Sequence, residues 1–426
     1  MREMKKSQIP FCPEIPSTWS EMPNRYLFES HSTKVGNDFG NYQLLSLTTA
    51  GVKEKDINAG GGKVPDSYDN YQTVEPGDMV FCLFDLDCSA VFSGLSSHFG
   101  MITSAYDVFR ANASYADNHF LEYWFQYVFS NRYYKMFSKN IRYTVTGDMF
   151  KSIYTPIPPI EEQRKIGAFL DERVRKIDTL IANQQAQIEK LKQYKQSLIT
   201  EVVTKGLDPN VPMKDSGVEW LGKIPTNWIL CRIADLYSER SESGNDSLPI
   251  LTVSINTGIS DHELASEDQD RVFVRSEDKS KYKRVYPGDL AYNMMRAWQG
   301  AFGAVRVDGM ISPAYIVAKP RGTFEIDTRY FEALLRTPMA IEEMHRYSRG
   351  IMDFRLRLYW PEFKNIRVCL PSIEEQREIA DYIDEKSKPI DALIDIKESK
   401  IDKLNQYKKS LIYEYVTGKK EVPWEA

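Results

Sequence analysis

The side chains best equipped for catalysis or metal binding are scattered along this chain. His31, His98, His119, His262 and His345 stand singly, whereas a zinc-type site needs paired ligands at short spacing, as in H-E-x-x-H. The five cysteines, Cys12, Cys82, Cys88, Cys231 and Cys369, are odd in number and never spaced C-x-x-C. That excludes a clustered thiolate site and a dense disulfide framework, and reads as reduced core or surface thiols. Gly60-Gly61-Gly62-Lys63 is the nearest approach to a phosphate cradle, but it lacks the spacing and the following Ser or Thr. It reads as a turn. A methyl-transfer enzyme needs a glycine-rich cofactor loop and an Asn/Asp-Pro-Pro-aromatic motif at the target base, and neither is present. The expectation is a chain with no catalytic residues, no metal and no cofactor of its own.

The remaining chemistry is positive charge that can meet phosphates and base edges. Arg132, Lys135, Lys139 and Arg142 are interleaved with Tyr133, Tyr134 and Tyr143. Arg271, Arg275, Lys279, Lys281, Lys283 and Arg284 form a second group, and Arg346, Arg349, Arg355 and Arg357 a third. Arginine can bind guanine bidentately in the major groove and lysine anchors phosphate. The net charge of −5 and pI near 5.8 argue against nucleic acid when taken alone, but they average over faces. The candidate DNA contacts are Arg132, Lys139, Arg142, Lys281, Lys283, Arg284, Asn293, Arg296, Arg349, Arg355 and Arg357.

The elements that must carry these groups are written twice. The segment beginning IEEQRKIGAFLDERVRKID at Ile160 recurs as IEEQREIADYIDEKSKPID at Ile373, an offset of 213 residues that holds without a gap to Thr204 and Thr417. Upstream the order repeats with looser offsets: Ile15-Pro16-Ser17-Thr18-Trp19 matches Ile224-Pro225-Thr226-Asn227-Trp228. Pro76-Gly77-Asp78 likewise matches Pro287-Gly288-Asp289, and Gly100-Met101-Ile102 matches Gly309-Met310-Ile311. The pattern is globular part, helix, globular part, helix.

Both tails read as helices with a heptad seam. Ile177, Ile181, Ile188, Leu191, Leu198 and Val202 fall at alternating three- and four-residue steps, interrupted by Gln184 and Lys195. Ile390, Ile394, Ile401, Leu404 and Leu411 repeat the seam. Pro389 predicts a kink or break before Ile390, with a similar break near Lys176. Two copies in one chain make an intramolecular antiparallel pair the simplest arrangement. Each globular part alternates short apolar runs with turns, giving mixed α/β domains with helices near Asn118–Phe137 and Thr328–Arg346. Gly206–Pro225, rich in turn formers, reads as a linker.

The run LP-x-x-EEQ-x-x-I followed by ID, a heptad helix and a T-x-G end resembles the helical region of type I restriction–modification specificity subunits. So do NVPMKDSGVEWLGKIPTNW, AYNMMRAWQGAFG at Ala291–Gly303 and GMISPAY at Gly309–Tyr315. The first half lacks a counterpart of AYNMMRAWQG. The resemblance implies an α+β chain: two α/β target-recognition domains, two long antiparallel coiled-coil helices and a pseudo-two-fold internal repeat. It divides as 1–157 and 225–369 for the recognition domains, 158–206 and 370–420 for the helical regions, and 207–224 for the linker.

It further implies binding to double-stranded DNA at a split, asymmetric site, with two modification subunits and two restriction subunits as partners. S-adenosylmethionine, ATP and magnesium then belong to those partners, not to this chain. The seam residues become the spacer and subunit-docking helices. The alternative is a coiled-coil scaffold that reads no sequence, which two large divergent heads argue against. No run of eighteen apolar residues and no signal-peptide pattern occurs, so a cytoplasmic location is expected.

Overall fold

The computed structural model describes residues 2–49, 51–56, 67–138, 142–245, 247–255, 257–263, 281–350 and 356–423. The chain forms two compact units, Met1–Gln185 with Glu398–Ala426, and Ala186–Lys397.

In the first unit a four-stranded sheet is built from β1 (Phe28–Ser30), β2 (Asp78–Phe81), β3 (Ser93–Leu95) and β4 (Asp107–Ala111). Its order is β1-β4-β2-β3, antiparallel throughout. Helix α1 (Asn118–Ser130) covers one face, because Phe120, Leu121, Trp124, Phe125 and Val128 fall on one side at helical spacing and are buried. Its first turn is capped by the Asp117 carboxylate, which accepts from the N–H groups of His119 and Phe120. The core between them is aromatic. Phe81 meets Phe125 edge-on at 5.0 Å and Phe150 at 4.8 Å, and each such fully buried ring contributes roughly 1.5–3 kcal/mol.

Helix α2 (Ile160–Lys205) begins in this unit. Gln163, fully buried, ties it to the head: its Nε2 donates to the carbonyls of Tyr115 and Pro158, both at 2.8 Å, and its Oε1 accepts from the Asp117 N–H at 2.8 Å.

The second unit repeats this plan with β5 (Tyr237–Arg240), β6 (Leu290–Asn293), β7 (Phe302–Ala304) and β8 (Tyr315–Pro320), in the order β5-β8-β6-β7. The helix expected near Thr328–Arg346 is two helices, α3 (Thr328–Leu335) and α4 (Pro338–Tyr347). Pro338 cannot continue α3, and the Thr337 hydroxyl caps α4 by accepting from Ala340 N–H. Helix α5 (Ile373–Val416) begins here, and its Gln376 repeats the staple, accepting from Asp327 N–H at 2.9 Å and donating to Pro371 O at 3.0 Å.

The paired turns Glu75-Pro76-Gly77-Asp78 and Tyr286-Pro287-Gly288-Asp289 also coincide. Gly77 and Gly288 sit at φ 90° and 93°, where a side chain is strained. Asp78 and Asp289 are buried, each accepting the N–H of the residue three before it and a guanidinium, from Arg110 and Arg240 respectively.

The break expected at Pro389 and near Lys176 is absent: α2 and α5 are each continuous. Pro389 is exposed, and α5 carries on through it. In the first unit Asp178 pairs with Lys408 at 2.7 Å and the rings of Phe169 and Tyr415 are 4.6 Å apart. In the second Lys195 pairs with Asp391 at 2.6 Å and Gln187 accepts from Lys397. Rising numbers on one helix meet falling numbers on the other, so the helices run antiparallel within each unit. These two ion pairs are one contact made twice, since Asp178 and Lys195 correspond to Asp391 and Lys408 across the repeat. Lys195, an interruption of the apolar seam, is thereby accounted for.

The expected linker is partly built into the second unit. Met213–Asp215 pairs with Lys223–Pro225, and Trp220, Leu221 and Ile224 are buried in its core. Its turn formers shape the 216–222 loop of a hairpin whose few apolar residues dock. Among the described residues no helix is long and apolar enough to cross a membrane.

Candidate nucleic-acid interface

In the first unit the predicted cations converge on the loop between β2 and β3. That loop is closed at its base by Cys82 N–H donating to Phe92 O at 2.8 Å. A second loop, following α1, lies against it: Val145 N–H donates to Leu83 O at 2.8 Å and the Tyr134 hydroxyl to Leu86 O at 3.0 Å. Asp87 accepts from Arg132 at 3.4 Å and Lys135 at 3.0 Å, and Asp85 faces Arg142 at 3.7 Å. The Lys135 ammonium also lies 4.3 Å from the centre of the Tyr143 ring. Its hydrogen bond to Asp87 raises its pKa, against a smaller effect of burial.

The backbone is strained here. Asp85, Arg132 and Tyr143 adopt φ of 49°, 56° and 48°, and they are the described non-glycine residues with positive φ. Such conformations cost on the order of 1–3 kcal/mol each and gather where function demands a fixed geometry. Arg132 and Arg142 remain largely exposed, at 62% and 80%. Lys139 lies outside the described residues.

In the second unit the corresponding loop joins β6 to β7 and holds Arg296. Its base is closed by Asn293 N–H to Ala301 O at 3.0 Å, and Leu358 N–H donates to Met294 O at 2.8 Å. Asn293 is buried and its carboxamide oxygen accepts from Met295 N–H at 3.0 Å, so this side chain shapes the loop. Trp298 donates to Met295 O at 3.0 Å and meets the His345 ring at 5.6 Å. Met295 and Gln299 are exposed.

Arg346 pairs with Glu219 at 2.8 Å and Arg349 with Glu362 at 2.7 Å, while Arg349 and Arg357 exchange backbone hydrogen bonds at 2.9 Å. Arg296 and Arg357 form no ion pair among the described residues. Arg355 lies outside the described residues, as do Arg271, Arg275, Lys279 and the Gly60–Lys63 turn.

The remaining predicted contacts lie elsewhere. Lys283 is half-buried and donates to Tyr315 O at 2.7 Å, with burial lowering its pKa. Its counterpart Gln72 makes the same tie, donating to Tyr106 O. Arg284 pairs with Asp308 at 3.1 Å and stacks over Tyr286 at 4.7 Å. Lys281 is exposed and precedes the strand Lys283–Val285.

Along the helices Ile177, Ile188, Ile390, Ile394 and Leu411 are buried, and Ile181, Leu191, Leu198, Ile401 and Leu404 half-buried, in the seam. The faces turned away from it expose Leu180 and Tyr194 on α2, and Leu393, Ile396 and Tyr407 on α5. Sequence reasoning had not singled out Asp85, Asp87 or Gln299. A carboxylate gains meaning only from the cation folded against it, and nothing local marks that partner.

Two repeated α/β heads, each on its own stretch of a paired heptad helix and each with cations gathered at the corresponding loop, define a class of duplicated, helix-spaced binding proteins. Comparison with known proteins makes this specific. A family model described as the type I restriction modification DNA specificity domain matches residues 104–190. The type I restriction enzyme MjaVIII specificity subunit of Methanocaldococcus jannaschii is 27% identical over 266 residues, 58% of this chain and 58% of that protein. The EcoBI specificity subunit of Escherichia coli is 22% identical over 283 residues, 64% of this chain and 59% of that protein. The alignments thus span under two thirds of these curated relatives.

A chain in a solved structure concerned with complex assembly and conformational transition of the type I R-M system shares the fold. Its TM-score is 0.63 at 16% identity, covering 95% of this chain and 99% of that one. The chain is thus similar to type I specificity subunits, with residues 104–190 matching their domain model, and it shares the fold of the solved type I R-M chain.

Proposed function

We propose that this chain is the sequence-reading subunit of a type I restriction–modification complex. Each head reads one half of a split, asymmetric site in double-stranded DNA, and the chain directs adenine methylation and restriction by other subunits. The observation that carries this is the duplicated head, built on one frame and ending in loops of different chemistry. A scaffold would need the frame and not the differing loops.

On this reading the chain is not itself an enzyme, in keeping with a sequence that carries neither a glycine-rich cofactor loop nor an Asn/Asp-Pro-Pro-aromatic motif. S-adenosylmethionine, ATP and magnesium act in the partner subunits. Two modification subunits dock on the helical regions, where Leu180, Tyr194, Leu393, Ile396 and Tyr407 offer apolar surface. Two restriction subunits complete the nuclease, and the assembly works in the cytoplasm.

Methylome sequencing of host cells with and without this gene tests the reading. A bipartite adenine-methylated motif should vanish with the gene. Exchange of Ile224–Val368 for the matching domain of a relative should change one half of the motif only. An unchanged methylome, or both halves changing together, overturns it. The purified chain alone should transfer no labelled methyl group to DNA.

A further inference from the structure

The two halves of this chain amount to a comparison of two relatives within one molecule. The frame does the same work in both. Gln163 and Gln376 staple helix to head, Asp117 and Asp327 cap the first helix of each head, and Asp78 and Asp289 anchor the Pro-Gly-Asp turn. Lys283 and Gln72 differ in type, yet each donates to the backbone carbonyl of the equivalent tyrosine, Tyr315 or Tyr106. Substitution there keeps the role, which marks a structural tie.

At one place the frame is kept and the chemistry is not. Residues 83–91 and 294–300 span the same gap. Cys82 N–H to Phe92 O and Asn293 N–H to Ala301 O close the loop bases, and Val145 N–H to Leu83 O and Leu358 N–H to Met294 O fasten the same neighbouring loop. Between those fixed points the first head presents Asp85, Asp87 and Cys88, while the second presents Met295, Arg296, Trp298 and Gln299. The first then supplies its cations from the neighbouring loop, with Arg132 and Lys135 on Asp87 and Arg142 beside Asp85. The second carries a cation on the loop itself, Arg296, with no ion pair among the described residues. Strain gathers at the same spot in the first head.

We propose that residues 83–91 and 294–300 are the base-reading loops of their heads. Arg296 is the guanine-reading side chain of the second, while Asp85 and Asp87 are positioning residues that aim Arg142 and Arg132 in the first. This rests on the sequence-reading function proposed above and assigns it to particular atoms. An arginine fork matches the O6 and N7 acceptors of guanine in the major groove. A carboxylate that fixes a guanidinium beforehand lowers the ordering needed when DNA arrives.

The test uses the full chain assembled with its modification subunits, reading the methylated motif by sequencing and the complex by its size. Arg296→Ala should relax one position of one half-site, with discrimination there falling roughly 5- to 150-fold. Arg296→Lys keeps the charge but loses the fork, and should relax the same position. Asp87→Asn should relax the other half-site and Asp87→Glu should largely restore it. Lys283→Gln should change neither half.

All these variants should assemble normally, and loss of the complex in the loop variants overturns the assignment. A wild-type complex with a defined motif that Arg296→Ala and Asp87→Asn leave intact refutes the loops and leaves the sequence-reading function standing. A wild-type complex that methylates without preference refutes both.

Discussion

Gln163→Met is the most revealing single substitution in the frame. Methionine fills about the same volume but offers no donor or acceptor. The change strands three groups at a fully buried site: the Tyr115 and Pro158 carbonyls and the Asp117 N–H, each bonded at 2.8 Å in the native chain. A buried polar group left without a partner costs about 1–3 kcal/mol, so the sum is roughly 3–6 kcal/mol after allowing for non-additivity. That is a large fraction of a domain's net stability.

Gln376→Met should cost less, since only two of its bonds are short and the third, to Glu325 O, is 3.5 Å. Because a two-unit chain need not unfold in one step, amide hydrogen exchange is the right assay. Protection in Asn118–Ser130 should fall about a hundredfold or more in Gln163→Met, and protection in Thr328–Leu335 should fall by less in Gln376→Met. Unchanged protection in the first, or the reverse order, would refute the staple.

Other substitutions probe the seam and the titrating groups. Ile188→Asp buries an unpaired charge in the second unit and should cost about 3–5 kcal/mol, whereas Lys408→Ala removes a partly exposed pair and should cost no more than about 1 kcal/mol. Chemical denaturation followed within each unit would reverse the argument if the two were equal. His119 has a raised pKa, chiefly through its hydrogen bond to Asp171. Its stabilising contribution is therefore complete below the unfolded value of about 6.5 and fades as pH rises through the folded value. His119→Gln should flatten that part of the stability–pH curve, and an unchanged curve would show the pair to be idle. Burial pushes the Cys12, Cys231 and Cys369 thiols up to about 12, so maleimide at pH 7 should label exposed Cys88 first, as peptide mapping would reveal.

The helical frame was legible because it rests on periodicity and repetition, both local properties of the string. The heptad seam, its antiparallel closure and the doubled α/β plan all stand. What was not legible depended on partners distant in sequence. Lys195 reads as a flaw in the seam until Asp391 is seen beside it. Asn293 reads as a candidate DNA contact, and nothing local shows that its carboxamide is bound to Met295 N–H inside the loop. Lys283 reads as a contact until its ammonium is found tied to Tyr315 O. Pro389 misleads for a different reason: it lies on the exposed side of α5, and the helix runs through it as a single element.

The doubled Asp–Lys contact also disposes of wrong structures. A heptad seam of isoleucine and leucine is nearly indifferent to sliding, because a shift by seven residues restores apolar against apolar. Such a slip would carry Asp178 from Lys408 to Ile401 or Tyr415, and Asp391 from Lys195 to Ile188 or Val202. Both carboxylates would lose their lysines and crowd against apolar side chains. Charge within a seam thus selects among alignments at some expense in stability. Since the two pairs are copies, one in each unit, a register slip within either unit carries the penalty.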